Sequence, residues 1–154
     1  MTFTRHIPIT VFCGALLLST ASCDHAPAPS VAQANDTLCM LKNIYHEARG
    51  EGVEGMQAVA LVTLNRARQQ DKSVCEVVYQ RKQFSWTNTA KGRNKPITGD
   101  INTAHIVASQ AIAGVLEDIT GGATHYHTKA VKPIWRKSLD KIAVINNHIF
   151  YRKN

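Results

Sequence analysis

Asn43-Ile44-Tyr45-His46-Glu47-Ala48-Arg49-Gly50-Glu51-Gly52 is the stretch whose reading decides the fold. Leu38, Leu41, Ile44, Tyr45 and Ala48 recur at helical spacing, Asp36 or Thr37 can cap the start, and Gly50 stops the helix. Glu47 is therefore expected in the last turn of an amphipathic helix. Unsatisfied carbonyls at a helix C-terminus disfavour an ionised carboxylate, and burial against Tyr45 and the core acts in the same direction. A carboxyl that keeps its proton near neutrality suits a general acid. The competing reading is an ordinary surface glutamate paired with Arg49 or another base. Glu51 lies four residues on, but the intervening glycine breaks the helix, so the two carboxylates need not share a face.

A second helix is expected from about Val53 to Arg68. It is apolar on most of its circumference (Met56, Ala58, Val59, Ala60, Leu61, Val62, Leu64), as a central buried helix is, with the polar end Asn65-Arg66 facing out. Ser73 to Tyr79 reads equally as a short helix or a strand. Ser85 to Asp100, rich in Asn, Thr, Gly, Lys and Pro, reads as a surface loop flanking a cleft. A third helix is expected over roughly Thr103 to Leu116, and Ala123 to Tyr126 and Ile142 to Tyr151 alternate as short strands do. The class is α+β, mainly α, with a few short strands.

The 154 residues allow about one domain, and 44% apolar against 19% charged residues excludes a disordered or membrane-embedded chain. The formal net charge of +7 favours polyanionic partners, either nucleic acid or a cell wall bearing carboxylates and teichoic acids. The N-terminus chooses between them. Arg5 and His6 precede an apolar run from Ile7 to Leu18 and the small residues Ser19 to Ser22, the pattern of an export signal over 1–22. A short transmembrane anchor is the alternative. Thr20-Ala21-Ser22-Cys23 resembles a bacterial lipobox, which would acylate Cys23 and hold the protein on a membrane of the cell envelope. Cleavage after Ala21 or Ala34 without lipidation is the other outcome. The Ala- and Pro-containing stretch 23–36 reads as a flexible tether, with the catalytic domain over 37–154.

Four cysteines complete this picture. Cys13 leaves with the signal and Cys23 takes the lipid, so Cys39 and Cys75 remain as a pair in an oxidising compartment. Their disulfide would close a loop worth about 3 to 4 kcal/mol in the chain-entropy model. Two buried free thiols are the alternative.

The Asn43–Glu51 stretch, followed by Gly55-Met-Gln-Ala-Val-Ala60 and Asn65-Arg66, resembles the SleB-type cell wall hydrolase family, which includes spore cortex-lytic enzymes. Val74 to Gln80, Gln83 to Trp86, Gly121 to His127, Trp135 and Asn147 to Tyr151 resemble its further blocks, in order, so the likeness covers nearly everything from Leu38 to Arg152. The resemblance implies a lysozyme-like domain that cleaves peptidoglycan glycan strands between N-acetylmuramic acid and N-acetylglucosamine, as a lytic transglycosylase or muramidase, with Glu47 as the acid.

Gln83, Phe84, Ser85 and Trp86 combine hydrogen-bonding groups with two aromatic rings, the chemistry of a sugar site, and Tyr126 is the next candidate for the cleft. Phe84 as core and Trp86 as a loop anchor is the opposing reading. Glu51 is the candidate second acid, with Glu54, Glu76 and Asp100 near it only in sequence. His125, His127 and His148 offer an alternative as zinc ligands of a peptidoglycan amidase or endopeptidase, and a peptidoglycan-binding module without turnover is a second alternative. The expectation is a monomer acting on peptidoglycan, with no metal, no organic cofactor and no nucleic acid partner.

Overall fold

In the computed structural model, which describes residues 28–99 and 101–153, Ser30 starts the first helix. Its hydroxyl accepts the Gln33 amide at 3.2 Å, and α1 runs Val31–Ala48. The tether expected over 23–36 is therefore too long. From Val31 onward those residues are helical, because Ser30 caps them and no proline lies between Pro29 and the end of the helix. Thr37 lies inside α1, bonding back to the Gln33 carbonyl at 2.8 Å, and the Asp36 carboxylate accepts the Cys75 amide at 3.0 Å. The segment 1–22 expected as an export signal, Cys23 and Asp100 lie outside the described residues.

Helix α2 spans Gly52–Gln70, and Ala58 to Val62 are buried on every side, as its continuous apolar run predicts. It packs with α1 and with α5 (Asn102–Ile112), while α3 (Val74–Tyr79) closes one end. Ser73 and Glu76 form a reciprocal capping box, which settles that segment as a helix. The helical core gathers Met40, Ile44, Ala60, Val77, Val78, Phe84, Val107 and Ala108. α5 ends earlier than Leu116 because Gly114 takes a left-handed φ of +72°, leaving Val115 exposed. The segment expected as a loop contains a 3-10 turn at Ser85–Asn88 and the four-residue helix α4 (Ala90–Arg93), capped by Thr89.

Three antiparallel strands follow, β1 (His125–Thr128), β2 (Asp140–Ile145) and β3 (His148–Arg152), in the order β1-β3-β2. Asn146, at a left-handed φ of 47° that Asn tolerates, turns the β2–β3 hairpin. Phe150 and Ile145 bury one sheet face against Ala58 and Val62 of α2 in a second core. That contact reverses the expectation for the end of α2. Asn65 is buried, its amide donating to the Ala123 carbonyl and the Asp118 carboxylate, both at 3.1 Å, and Arg66 Nε donates to the Thr124 carbonyl at 2.7 Å. The chain entering β1 brings carbonyls to this end of α2, and they need donors.

Cys39 and Cys75 form a disulfide with Cα atoms 5.2 Å apart, joining α1 to α3. Replacing both with serine is expected to cost about 2 to 4 kcal/mol. Urea denaturation checks this: the midpoint should fall while the native far-ultraviolet circular dichroism is unchanged.

Candidate active site

Glu47 leaves the last turn of α1 and is half-buried, facing β1. Its Oε2 accepts a 3.0 Å hydrogen bond from the Tyr126 hydroxyl. Burial raises the Glu47 carboxyl above the ordinary carboxylate range, and the Tyr126 hydrogen bond and the Arg66 charge hold that rise in check. Arg49 does not neutralise the carboxylate as a surface partner would, since its guanidinium lies over the Tyr45 ring, 5.1 Å from the centroid.

Arg66 projects from α2 between the rings of Phe84 and Tyr126, its guanidinium carbon 5.1 and 5.9 Å from their centroids. The Tyr126 hydroxyl is held well above its usual range, first by burial and then by the nearby Glu47 charge. It therefore stays a donor. Glu47, Tyr126 and Arg66 thus form one half-buried set supplied by a helix end, a strand and a second helix.

One residue before Glu47, His46 stacks on Trp86 with centroids 4.5 Å apart and planes 27° from parallel. The Trp86 indole N–H donates to Asn43 Oδ1 at 3.1 Å, Asn43 Nδ2 donates to the Thr63 hydroxyl at 3.0 Å, and that hydroxyl donates to the Val59 carbonyl at 2.9 Å. Every polar atom in this buried relay has a partner, so the ring orientation is fixed from within α1 and α2. A cleft of about 670 Å³ opens beside it, lined by His46, Trp86, Thr89, Lys91, Asn94 and Lys95 among others.

The residues expected at the site divide. Trp86 lines the cleft, and Tyr126 meets Glu47. Phe84 is 3% exposed and belongs to the helical core under Arg66, so it offers no face to a ligand. Ser85 is exposed at the start of the 3-10 turn and Gln83 is half-buried before it. Glu51 is committed elsewhere: its Oε2 accepts the Asn147 amide at 3.1 Å and its carbonyl accepts Asn146 Nδ2 at 2.6 Å, clamping α2's start to the hairpin turn. A Cβ at Gly55 would collide with the Glu51 Cβ, so that clamp requires glycine there. Glu76 is used in the capping box, and Glu54 is exposed in the first turn of α2.

The three histidines do not converge. Strand register puts His125 opposite Tyr151 and His127 opposite Ile149, whereas His148 lies opposite Thr128 and so projects from the other sheet face. His127 is used by the Thr128 carbonyl at 2.8 Å and the Tyr151 hydroxyl at 3.0 Å, and both His125 and His127 pack on Trp135. His148 packs edge-on against Tyr126 and sits 3.7 Å from Glu51. Among the described residues no three His, Cys, Asp or Glu side chains are placed to hold a metal ion.

Sequence reasoning missed Asn43, His46 and Thr63 altogether and gave Arg66 the wrong side of its helix. Asn43 and His46 stand at i−4 and i−1 of Glu47, a signal that was available. Thr63 and Arg66 carry no local mark, because their roles arise from what packs against α2.

Residues 50–151 match the family described as Cell Wall Hydrolase, a segment that begins just beyond Glu47. The chain is 34% identical over 125 residues to the spore cortex-lytic enzyme of Halalkalibacterium halodurans, covering 79% of this chain but only 36% of that enzyme's length. Its fold matches the catalytic domain of the Bacillus cereus SleB protein (TM-score 0.64, 30% identity, 77% of this chain and 91% of that one). It also matches the catalytic domain of the germination-specific lytic transglycosylase SleB from Bacillus anthracis (TM-score 0.67, 29% identity, 81% and 100%). The expected lysozyme-like, mainly helical architecture is thus the observed one.

The raised Glu47 carboxyl has a consequence for stability. The folded state keeps this proton to higher pH than the unfolded chain, so stability is full below the ordinary value of 4.5 and declines as pH rises through the folded value. Glu47→Gln removes the penalty. The variant should melt above the wild type at about pH 7 and level with it at about pH 3, as thermal denaturation at the two pH values will read.

Proposed function

This chain belongs to the cell wall hydrolase family, and from that premise we propose that it cleaves peptidoglycan glycan strands between N-acetylmuramic acid and N-acetylglucosamine, with Glu47 as general acid. The observation that carries the reading is the half-buried carboxyl held by Tyr126, next in the chain to His46, which lines an aromatic cleft with Trp86. Glu47 gives its proton to the glycosidic oxygen as the bond from that oxygen to the anomeric carbon breaks, leaving an oxocarbenium-like sugar. The Tyr126 hydroxyl and the Arg66 charge stabilise the carboxylate that results, which is the form they favour. Trp86 presents a flat ring to the apolar face of a sugar.

The second half of the reaction separates two chemistries. A retaining hydrolase needs a second carboxylate about 5 Å away, and an inverting one needs it farther off with water between. Glu51 is tied to the hairpin and Glu76 to its capping box, which supports a mechanism with one acid. The Glu47 carboxylate then takes the proton of the sugar's own C6 hydroxyl, whose oxygen closes on the anomeric carbon to form an anhydro ring, regenerating the acid without water. We therefore favour a lytic transglycosylase over a muramidase.

We further propose action in the cell envelope, with 1–22 as an export signal, Cys23 acylated, and a tether shortened to end before Val31. Cys23→Ala should then move the protein from the membrane fraction to the soluble one; unchanged fractionation would remove the anchor.

Incubated with purified sacculi, the protein should release muropeptides one water lighter than hydrolysis products, read by mass spectrometry. Glu47→Gln should still sediment with sacculi while fragment release falls at least about a thousandfold. Fragments with reducing ends would make the enzyme a muramidase, and wild-type binding without release would make the domain a binding module. Equal release from the variant would remove Glu47 from the chemistry.

A further inference from the structure

Between Glu76 and Asp100 the chain carries Arg81, Lys82, Lys91, Arg93 and Lys95 and not one acidic residue. Two of these cations, Lys91 and Lys95, line the cleft floored by Trp86 and His46. Their position is built into the fold. Thr89 caps the turn that carries them, Arg93 Nη1 donates to the Thr87 carbonyl at 2.6 Å, and Gly92 lies so close to the Trp86 carbonyl that a Cβ there would collide with it. The turn is thereby pressed onto the backbone of the aromatic residue. Among the described residues neither lysine has a carboxylate partner.

The surrounding field is positive as well. Burial first, and then the charges of Lys95, Arg49 and Lys42, lower the His46 imidazole, which keeps the ring neutral and able to stack. A flat aromatic floor with ammonium groups on its wall fits a ligand that is apolar on one face and carries carboxylates at its side. A neutral sugar polymer would use the floor and leave the wall idle. In peptidoglycan the carboxylates hang from the lactyl-linked peptide of each muramic residue.

We propose that the Trp86–Lys91–Lys95 cleft is a subsite for the carboxylate-bearing substituent of the muramic residue, so that the substrate class is peptide-bearing, anionic glycan strands. Lys91 and Lys95 set this specificity and take no part in bond cleavage. The inference rests on the reading of the chain as a glycan-cleaving enzyme, and its test separates the two.

The full chain is assayed on native sacculi and on sacculi whose carboxyls have been converted to methylamides with carbodiimide and methylamine. Three proteins are compared: wild type, Lys91→Gln with Lys95→Gln, and Lys132→Gln with Lys137→Gln, which removes the same charge elsewhere. Wild type and the second pair should need about tenfold more amidated than native material for half-maximal release. The Lys91/Lys95 pair should show less than about a twofold difference. A tenfold difference retained in that pair, or lost equally in the Lys132/Lys137 pair, overturns the proposal. If no protein releases fragments, the catalytic reading fails, and co-sedimentation with the two preparations decides the subsite alone. Charge-dependent binding lost only in the Lys91/Lys95 pair supports it, and equal binding by all three overturns it.

Discussion

The hydrogen bond from Tyr126 to Glu47 joins the two halves of this molecule at its most consequential point. Glu47 comes from the end of α1 and Tyr126 from the first strand, 79 residues later. Neither group is at ease alone: a carboxyl removed from water resists ionisation, and a buried phenol needs an acceptor. Together they satisfy one another, and the carboxyl keeps a reason to hold its proton and a means of releasing it.

That contact exists only because the sheet is docked against α2. Phe150 and Ile145 supply the apolar part of the docking. Asn65 and Arg66 supply the polar part, taking carbonyls of the chain that leads into β1. Glu51 completes it from the opposite end of α2 by holding the hairpin turn. Four of the residues in the block around Glu47 therefore have different employments: Asn43 orients an indole, His46 stacks on it, Glu47 faces the strand, and Glu51 is structural. A motif of ten residues is dense because a helix end, a turn and a helix start all converge there.

Much of the helical architecture was legible in the chain. The continuous apolar run of α2 announced a helix buried on all sides, and the spacing from Leu38 to Ala48 put Glu47 in a last turn. The errors have common physical causes. α1 begins at Val31, capped by Ser30, rather than near Asp36 because a good cap and tolerable helix formers outweigh the look of a linker, helped by the bond that the Cys75 amide donates to the Asp36 carboxylate. Arg66 and Asn65 appear solvent-bound to any reading by periodicity, since polar residues on a helix are outward until something supplies acceptors. Phe84 sits among residues suited to sugar binding, yet its ring is drawn into the core beneath Arg66.

By itself the sequence determined the three long helices, the pairing of Cys39 with Cys75 and the carboxyl at a helix end, because each depends on local periodicity, on capping or on residue count, while the class of the protein was implied by the resemblance of its motifs to a known family. Tertiary structure alone decided which face of β1 Tyr126 occupies, that His148 projects away from His125 and His127, that Glu51 is spent on a turn, and that two lysines line one cleft with Trp86. Those outcomes depend on strand register and on the docking of sheet to helix, and a one-residue slip would reverse the facing of every strand side chain without altering the composition of the chain.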